Sequence, residues 1–519
     1  MRIAILGSII KSAIEFKSKI PTSQLLEYFI PQNPYRSQKR VLKKLLKTAE
    51  LTSFSEEYNF PNILKSTDII KSYKEKVPLF DYDKMHEKWW YRTLNGESYV
   101  SWPGPVKYFA LSSGTSGASS KYIPVTRDML RAIQKTSIKQ IWTLGQYDFP
   151  PEFYSKGILM LGGSTQLEFN GTYFEGDLSG ITAGNLPFWF QHFYKPGKRI
   201  SKEKNWTTKL EEIIKKAPEW DIGVICGVPA WLQILMERII AEYNLKTIHD
   251  IWPNLSIFVH GGVSFAPYQK GFEKLLAKPL VYMETYLASE GFIAYQNRPH
   301  IKSMQLVLDN GIFYEFVPFN EDNFDNDGNL LPNATTLTIN EVGENKDYGL
   351  LITTCSGAWR YLIGDTIRFT SLKLSEIVIT GRTKQFLSLC GEHLSLDNLN
   401  KAIEMLGESL NIHISEFTVA GIKHQEGMFA HHWYIGHDNP LNEDEVARLL
   451  DENLKIINDD YRTERLHAVK EVKVKILPTA VFYEWLKMHG KEGGQHKFPR
   501  VLKGEKLESW IHFLAQKNL

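Results

Sequence analysis

The stretch 109–126 combines hydroxyls, glycines and a lysine in a pattern suited to binding an anion. Its small and hydroxyl-bearing residues are Ser112, Ser113, Gly114, Thr115, Ser116, Gly117, Ser119 and Ser120, and Lys121 follows them. Glycines let backbone N–H groups approach a ligand closely, hydroxyls donate to phosphate oxygens, and a lysine adds a positive charge. Apolar residues on both sides predict a strand, a loop and a second strand. A polyphosphate is the ligand that these residues favour.

This loop differs from the common P-loop, which places Gly-x4-Gly-Lys-Ser/Thr before a helix. Ser119 stands where the second glycine would be, and the residues after Lys121 have the pattern of a strand. A surface loop rich in small residues is the alternative interpretation.

Three further positions could act on a nucleotide. Tyr286-Leu-Ala-Ser-Glu290 follows a strand pattern, so an aromatic ring could stack on a base and a carboxylate could hold Mg²⁺ beside a phosphate. Asp365 follows Gly364 at the end of another strand pattern and could accept hydrogen bonds from a ribose diol. Arg382 lies at a link between domains, where it could reach the nucleotide. Taken singly, a βα turn with a solvated glutamate explains the Tyr286–Glu290 pattern equally well, and an ordinary Gly-Asp turn explains the pattern at Asp365 better.

Composition narrows the class of protein. The 519 residues carry a formal net charge of +2, so charge implies neither a nucleic-acid nor a membrane partner. Three cysteines far apart in sequence indicate neither a disulfide framework nor a zinc site. No apolar run approaches the roughly 20 residues of a membrane span, and Lys11 and Lys17 interrupt the apolar start. We expect a cytoplasmic protein.

The elements that must position these residues are predicted as α/β. Helices dominate 1–100, and Thr126 is expected to cap a helix that ends near 144. Strands at 221–226, 255–259 and 280–285 alternate with helices at 229–243 and 266–277, which is typical of βαβ units in a largely parallel sheet. In such sheets ligands lie at the carboxyl ends of strands, where Gly261 and Gly262 also fall.

Alternating residues at 312–317, 335–340 and 349–354 predict an antiparallel β subdomain. For the last part of the chain, the sequence pattern predicts a helix at 397–408, strands at 414–422 and 429–436, a helix at 443–457, a strand at 471–477 and a helix at 479–488. We therefore expect a large N-terminal domain over 1–380 and a small, mobile α+β C-terminal domain over 381–519.

The order of the motifs resembles the acyl-adenylate-forming superfamily, and most closely the auxin-responsive (Gretchen Hagen 3-type) acyl-acid amido synthetases. The short loops hint at a bacterial member. Ser112-Ser-Gly-Thr-Ser-Gly with Lys121 is similar to the phosphate loop of that family, and Tyr286 to Glu290 is similar to its second motif. Tyr361-Leu-Ile-Gly-Asp365 resembles the third, although Leu362 stands where arginine usually follows the tyrosine. Gln495-His-Lys497-Phe-Pro-Arg500 resembles the late lysine motif.

The resemblance implies a ligase that uses ATP and Mg²⁺ to activate a carboxylic acid as acyl-AMP and passes the acyl group to an amine, usually an amino acid. It implies Lys497 and Glu290 as catalytic residues, with Glu290 also as the metal ligand. The nucleotide-binding residues it implies are Ser112, Ser113, Gly114, Thr115, Ser116, Lys121, Gly261, Gly262, Tyr286, Ser289, Asp365 and Arg382.

The acyl pocket is expected beside the helix start at Val228 and the turn after Gly262, with Trp231 and Phe188 as candidate walls or as plain core residues. Three alternatives remain open: an acyl-CoA ligase on the same fold, a nucleotide-binding protein without catalysis, and an assembly-line component that feeds a carrier protein. The sequence identifies neither the acid, nor the acceptor, nor the oligomeric state.

Overall fold

The computed structural model describes residues 33–112, 121–188, 190–262, 265–325, 328–384, 387, 394–423, 429–458, 461–462, 465, 469–490 and 498–519. Within these ranges the helices are Pro34–Thr48, Ser53–Tyr58, Phe60–Lys65, Ile69–Lys76, Tyr82–Met85, Tyr91–Leu94, Arg127–Thr143, Leu178–Gly184, Gly197–Ser201, Trp206–Lys216, Pro229–Glu242, Ala266–Glu273, Leu396–Leu410, Glu443–Ile457, Thr479–Met488 and Gly504–Gln516. A π-helical turn, His86–Trp90, joins two of the short helices. No helix in the described part of the chain has the length and apolarity needed to cross a membrane.

The strands in the same ranges are β1 Tyr108–Ser112, β2 Lys121–Val125, β3 Gly157–Leu161, β4 Glu168–Phe169, β5 Phe174–Gly176, β6 Tyr194–Lys195, β7 Ile222–Gly227, β8 Ile257–Gly261, β9 Val281–Ala288, β10 Gly291–Tyr295, β11 Met304–Leu306, β12 Ile312–Pro318, β13 Asp347–Thr354, β14 Tyr361–Ser371, β15 Glu376–Arg382, β16 Phe417–Lys423, β17 Phe429–Gly436, β18 Val469–Leu477 and β19 Val501–Leu502. The predicted α/β class, with a large N-terminal and a smaller C-terminal domain, is confirmed.

One large sheet of the order β12-β13-β14-β15-β11-β10-β9-β8-β7-β3-β6 organises the first domain. Strands β6, β3, β7, β8 and β9 are parallel, whereas each pair from β9 to β12 is antiparallel. The helices Pro229–Glu242 and Ala266–Glu273 connect the parallel strands, as the alternating pattern predicts. Strand β9 therefore forms the boundary between a βαβ half and an antiparallel half.

The large sheet is curled rather than flat. Strands β9 and β14 are four positions apart in the sheet order, which would separate them by about 19 Å in a flat sheet. Yet the Tyr286 hydroxyl on β9 donates a hydrogen bond to Asp365 on β14. Register shifts on both sides of β14 and in the β9–β10 pair bend the sheet locally. The curl brings side chains from distant strands to one site.

Two smaller sheets complete the fold. β1, β2, β4 and β5 form a sheet of the order β2-β1-β5-β4. β1 and β2 flank residues 113–120, the segment predicted to bind an anion and called the anion loop below. In the C-terminal domain, β18-β17-β16-β19 is covered by hydrophobic clusters around Trp433 and around Trp510. The helix–strand–strand–helix–strand–helix order expected there is confirmed, and β19 and the helix Gly504–Gln516 follow it.

Local signals explain several elements. The side chain of Thr126 accepts a hydrogen bond from the Met129 N–H, which confirms it as the cap of Arg127–Thr143. In the C-terminal domain, Asn442 likewise caps Glu443–Ile457.

Three sequence predictions of local structure are wrong. The strand expected at 335–340 is reduced to a single bridge between Leu337 and Phe316, because the Thr338 hydroxyl bonds locally to Asn340 and Glu341. β9 continues beyond Thr285 to Ala288 and then reverses into β10. Asp365 lies near the start of β14 and does not end a strand, because the ladder resumes after Gly364, whose φ is +92°.

Candidate functional site

The anion loop begins and ends at two hydrogen-bonded strands, β1 and β2, and the ends of these strands at Ser112 and Lys121 are called the neck of the loop. Ser112 at the end of β1 is the register partner of Lys121 at the start of β2. The two residues therefore lie side by side where the loop leaves and re-enters the sheet. Ser113, Gly114, Thr115 and Ser116 lie outside the described residues.

The Lys121 side chain is partly buried beside charges of both signs. Its ammonium lies 5.2 Å from the centre of the Tyr82 ring. Burial lowers the pKa of Lys121, the charge of Glu290 opposes that shift, and Arg382 and Lys384 reinforce it. Lys121 thus lies within electrostatic reach of two further cations and of one buried carboxylate, which is an arrangement that attracts a polyanion.

Tyr286, Asp365 and Arg382 form one contact group. The Tyr286 hydroxyl donates to Oδ2 of Asp365, and Nε of Arg382 lies 2.9 Å from Oδ1 of the same carboxylate. Asp365 and Arg382 are register partners on β14 and β15, so the ladder itself holds this ion pair together. The charge of Asp365 raises the pKa of Arg382. Tyr286 is buried in the main core rather than open to solvent.

Glu290 follows β9 in the turn to β10, and its side chain is buried. The Tyr361 hydroxyl donates to Oε1 of Glu290 at 3.3 Å. Burial raises the pKa of Glu290 to about 7, and Lys121 is the main opposing charge. A carboxylate that is costly to ionise on its own is well suited to receive a cation. The fit to a Mg²⁺ carried by ATP phosphates is good, since that ion needs few carboxylate ligands from the protein.

The Gly261–Gly262 turn favours glycine at both positions because of its backbone geometry. A Cβ at Gly261 would lie 2.4 Å from the Thr285 carbonyl oxygen, so no larger residue fits between β8 and β9 there. Gly262 has a φ of +82°, which favours glycine. Ser289 lies in the turn between β9 and β10, next to Glu290.

The structure separates the two candidate walls of the acyl pocket. Trp231 is buried near the start of Pro229–Glu242, where its ring packs on Trp206 at 5.1 Å and faces Tyr483 of the C-terminal domain at 6.3 Å. Val228 is the residue before that helix and packs against the same cluster. In contrast, Phe188 is 90% exposed. The acyl assignments remain predictions, and only Val228 and Trp231 are brought together.

Lys497 lies outside the described residues, but Arg500 from the same motif is seen at a domain contact. Its guanidinium donates to Oε2 of Glu416 at 2.7 Å and to the hydroxyl of Tyr268, which belongs to the large domain, at 3.3 Å. The Tyr268 hydroxyl in turn donates to Oε1 of Glu416 at 2.9 Å. Arg500, three positions after Lys497 in sequence, thus contacts both domains.

Arg360 does not replace the missing arginine of the third motif. It is buried, with Nε and Nη2 donating to the two oxygens of Glu315 and Nη1 donating to the carbonyls of Lys74 and Val77. Leu362 points into a separate small core with Phe324 and Leu351. Neither side chain therefore belongs to the group around Asp365.

Sequence reasoning missed Tyr82 and the hydroxyl of Tyr361, which both reach the site. Trp90 packs on both rings, with centroids 6.0 Å from Tyr82 and 5.4 Å from Tyr361. The aromatic content of this segment was the available signal, but it has no motif spacing that distinguishes a site residue from a core residue.

Comparison with known proteins finds relatives that match most of the chain. The indole-3-acetic acid-amido synthetase GH3.4 of Arabidopsis thaliana is 23% identical over 553 residues, which cover 91% of this chain and 90% of that protein. The jasmonoyl–L-amino acid synthetase JAR4 of Nicotiana attenuata is 19% identical, with 95% of this chain and 96% of that protein covered.

Solved structures share the fold. The GH3.15 acyl acid amido synthetase has a TM-score of 0.74 at 18% identity, with 95% of each chain covered. A 2-hydroxyisobutyryl-CoA ligase in the postadenylation state has a TM-score of 0.58 at 11% identity, with 96% and 93% covered. The chain thus shares its fold with these two enzymes.

Three sequence profiles of one family match in chain order. They are the GH3 family N-terminal domain over residues 28–210, the GH3 family central domain over 305–382 and the GH3 family C-terminal domain over 397–506. Together they cover more than half of the sequence, and so the chain belongs to the GH3 family.

Proposed function

We propose that the protein is an ATP-dependent acid–amido synthetase. In the first step an oxygen of the substrate carboxylate attacks the α-phosphorus of ATP, and the bond to pyrophosphate breaks to leave acyl-AMP. In the second step an amine, most simply that of an amino acid, attacks the acyl carbon. The bond to AMP breaks, and the amine proton leaves to solvent. The relatives that synthesise amides of indole-3-acetic acid and of jasmonic acid support this reaction class.

The observation that carries the proposal is the convergence of Lys121, Glu290, Asp365 and Arg382 at the neck of the anion loop. Two anions must meet in the first step, so the site has to offset their repulsion. Lys121 supplies charge beside the loop, and Arg382 adds a second cation. Catalysis here depends on positioning and electrostatics rather than on a covalent intermediate with the protein.

Each remaining residue has a proposed part. Asp365 accepts hydrogen bonds from the ribose, Tyr286 orders the Asp365 carboxylate, and the Gly261–Gly262 backbone lies along the adenine. Glu290 would hold the Mg²⁺ that accompanies ATP, and that ion would supply positive charge to the phosphate oxygens. Lys497 meets charge that develops as the bond to pyrophosphate breaks, so it acts on the rate more than on binding. The reaction belongs in the cytoplasm, where ATP and amino acids are available.

Exchange of labelled pyrophosphate into ATP tests the first step directly. Purified protein is assayed against aromatic, indolic, fatty and hydroxy acids, beside Lys497→Ala and the control Lys470→Ala, which changes an exposed lysine on β18. Exchange that requires one class of acid and falls at least about 100-fold only in Lys497→Ala supports adenylation. ATP binding without exchange for any acid would favour a non-catalytic nucleotide-binding protein.

A second experiment identifies the molecule that accepts the acyl group. An active acid is incubated with ATP and either a mixture of amino acids or coenzyme A, and the product is identified by mass spectrometry. An amide supports the proposed function, whereas a thioester would reassign the protein as an acyl-CoA ligase. Glu290→Gln should retain the fold and raise the Mg²⁺ concentration needed for half-maximal exchange.

A further inference from the structure

Tyr82 is tied to the strand that carries Tyr361 and Asp365. The residue before it, Asp81, caps the short helix Tyr82–Met85 by accepting a hydrogen bond from the Lys84 N–H. Phe80 forms a parallel bridge with Tyr361, in which its N–H donates to the Arg360 carbonyl at 2.9 Å and its carbonyl accepts from the Leu362 N–H at 2.8 Å. The backbone of the N-terminal helical segment therefore places Tyr82 beside the start of β14.

The Tyr82 side chain contacts two consecutive residues at the neck of the anion loop. Its ring lies 5.2 Å below the Lys121 ammonium, and its hydroxyl accepts a hydrogen bond from the Tyr122 N–H at 2.9 Å. β2 is the edge strand of its sheet, so this N–H is one of the outward-facing donors that need a partner. The Tyr82 side chain thus accepts a hydrogen bond from the edge of β2 and also contacts the Lys121 ammonium.

Neighbouring rings hold Tyr82 in this position. His86 stacks on it with centroids 5.5 Å apart, and Trp90 packs against another side at 6.0 Å. A ring fixed on two sides loses little further freedom when it supports a cation. Trp90 also packs on Tyr361, the donor to Glu290, so the same aromatic group supports both charged residues.

Lys121 has reason to need this support. Burial and the nearby cations Arg382 and Lys384 disfavour its charge, and Glu290 is the main charge that favours it. The face of an aromatic ring attracts a cation through its quadrupole, and more strongly where water is excluded. The ring therefore adds a second attraction beside that of Glu290, and without it the Lys121 ammonium would be held less firmly.

We propose that Tyr82 is a positioning residue for nucleotide activation: its ring and hydroxyl hold Lys121 and the adjoining strand edge in place to meet the phosphates of ATP. Tyr82 acts through Lys121 and does not itself touch the reacting atoms. This inference rests on the proposed function, since it assigns ATP phosphates to the loop.

A double-mutant cycle tests the proposal. Tyr82→Leu removes the ring and the hydroxyl, whereas Tyr82→Phe keeps the ring. Each is measured with Lys121 and with Lys121→Met for the dissociation constant of ATP by calorimetry and for KM and kcat in pyrophosphate exchange. Tyr91→Leu, which changes an exposed tyrosine in the same segment, is the control. Thermal melting of every variant shows whether it is folded.

We expect Tyr82→Leu to weaken ATP binding about tenfold, Tyr82→Phe to weaken it less, and Tyr91→Leu to leave it unchanged. In the Lys121→Met background, Tyr82→Leu should have little further effect, because the lysine through which it acts is gone. A merely structural role would give the same loss in both backgrounds and would overturn the inference alone. Wild-type protein that binds no ATP would overturn the proposed function and this inference together.

Discussion

The hydroxyl of Tyr286 donates a hydrogen bond to the carboxylate of Asp365, although the two residues are 79 positions apart in sequence. Arg382 pairs with the other oxygen of the same carboxylate. Each carboxylate oxygen can accept a second hydrogen bond, so a ribose diol can be bound without breaking either contact. The orientation of Asp365 is thus fixed before a nucleotide arrives, which lowers the entropic cost of binding.

Asp365→Ala should weaken ATP binding by about 10- to 100-fold, because hydrogen bonds to a charged group are each worth about 1.5–3 kcal/mol. The variant should also lose the preference for ATP over 2′-deoxy-ATP and 3′-deoxy-ATP that we expect of the wild type. Tyr286→Phe keeps the carboxylate and should retain that preference with a smaller loss of affinity. Calorimetric titration with the three nucleotides makes the comparison. Full discrimination in Asp365→Ala would place the ribose elsewhere.

Ionisation of Glu284 on β9 should lower the free energy of unfolding at high pH. Burial raises the pKa of Glu284 from its ordinary value of 4.5 to about 7. The folded state therefore holds its proton more tightly than the unfolded chain does, and the free energy of unfolding falls as pH rises from about 4.5 through 7. The shift corresponds to no more than about 3 kcal/mol.

Glu284→Gln should remove this loss. At pH 8 the variant should unfold at higher urea concentration than the wild type, and at pH 4.5 the two midpoints should converge. Urea unfolding followed by tryptophan fluorescence across this pH range measures both. A constant difference between the two proteins at all pH values would show that ionisation of Glu284 is not the cause.

Arg360 is a structural residue, and its loss should affect stability rather than nucleotide affinity. Its ion pair with Glu315 is buried, and its φ of +42° is unusual for a residue other than glycine. Arg360→Met leaves the Glu315 carboxylate buried without its cation, which should destabilise the large domain by about 3–5 kcal/mol.

The paired change Arg360→Met with Glu315→Met is the matched control for the Arg360 prediction. It removes both charges and should recover part of the stability in urea unfolding. The folded fraction of either variant should bind ATP as the wild type does. A selective loss of ATP affinity in a variant of normal stability would instead give Arg360 a role in the site.

Local chemistry explains which parts of the fold could be predicted. Thr126 caps a helix through its own hydroxyl, and the apolar runs of β7 and β8 are short and bounded by turns, so nearby residues determine these elements. The contact between Tyr286 and Asp365 depends instead on the curl of an eleven-stranded sheet. That curl arises from bulges and from packing between segments distant in sequence, which no local pattern records.

The candidate site divides in the same way. Lys121, Glu290, Asp365 and Arg382 lie in motifs whose order is informative, and the structure brings them together. Tyr82 lies in a segment whose aromatic residues mostly pack in the core. The backbone bridge between Phe80 and Tyr361 places Tyr82 beside the anion loop. The position of Tyr82 follows from the tertiary pairing of Phe80 with Tyr361, which are 281 positions apart.

The contact between the two domains is centred on Glu416, whose side chain is buried. Oε1 of Glu416 accepts hydrogen bonds from Tyr268 of the large domain at 2.9 Å and from Tyr483 of the C-terminal domain at 3.0 Å. Arg500 donates to the other oxygen. The two tyrosines therefore make the same kind of bond to the same atom, one across the domain boundary and one within a domain.

Tyr268→Phe should loosen the docking of the C-terminal domain, whereas Tyr483→Phe should not. Tyr483→Phe loses one hydrogen bond to a charged group, worth about 1.5–3 kcal/mol, within the C-terminal domain. Tyr268→Phe loses two hydrogen bonds with charged groups, one to Glu416 and one from Arg500, and both join the two domains. Small-angle X-ray scattering should show a larger radius of gyration for Tyr268→Phe alone, and spin labels placed on the two domains should show a broader distance distribution. Equal distributions for both variants would mean that the hydrogen bonds of Tyr268 do not hold the domains together, and that other contacts across the boundary, such as that between Trp231 and Tyr483, do so.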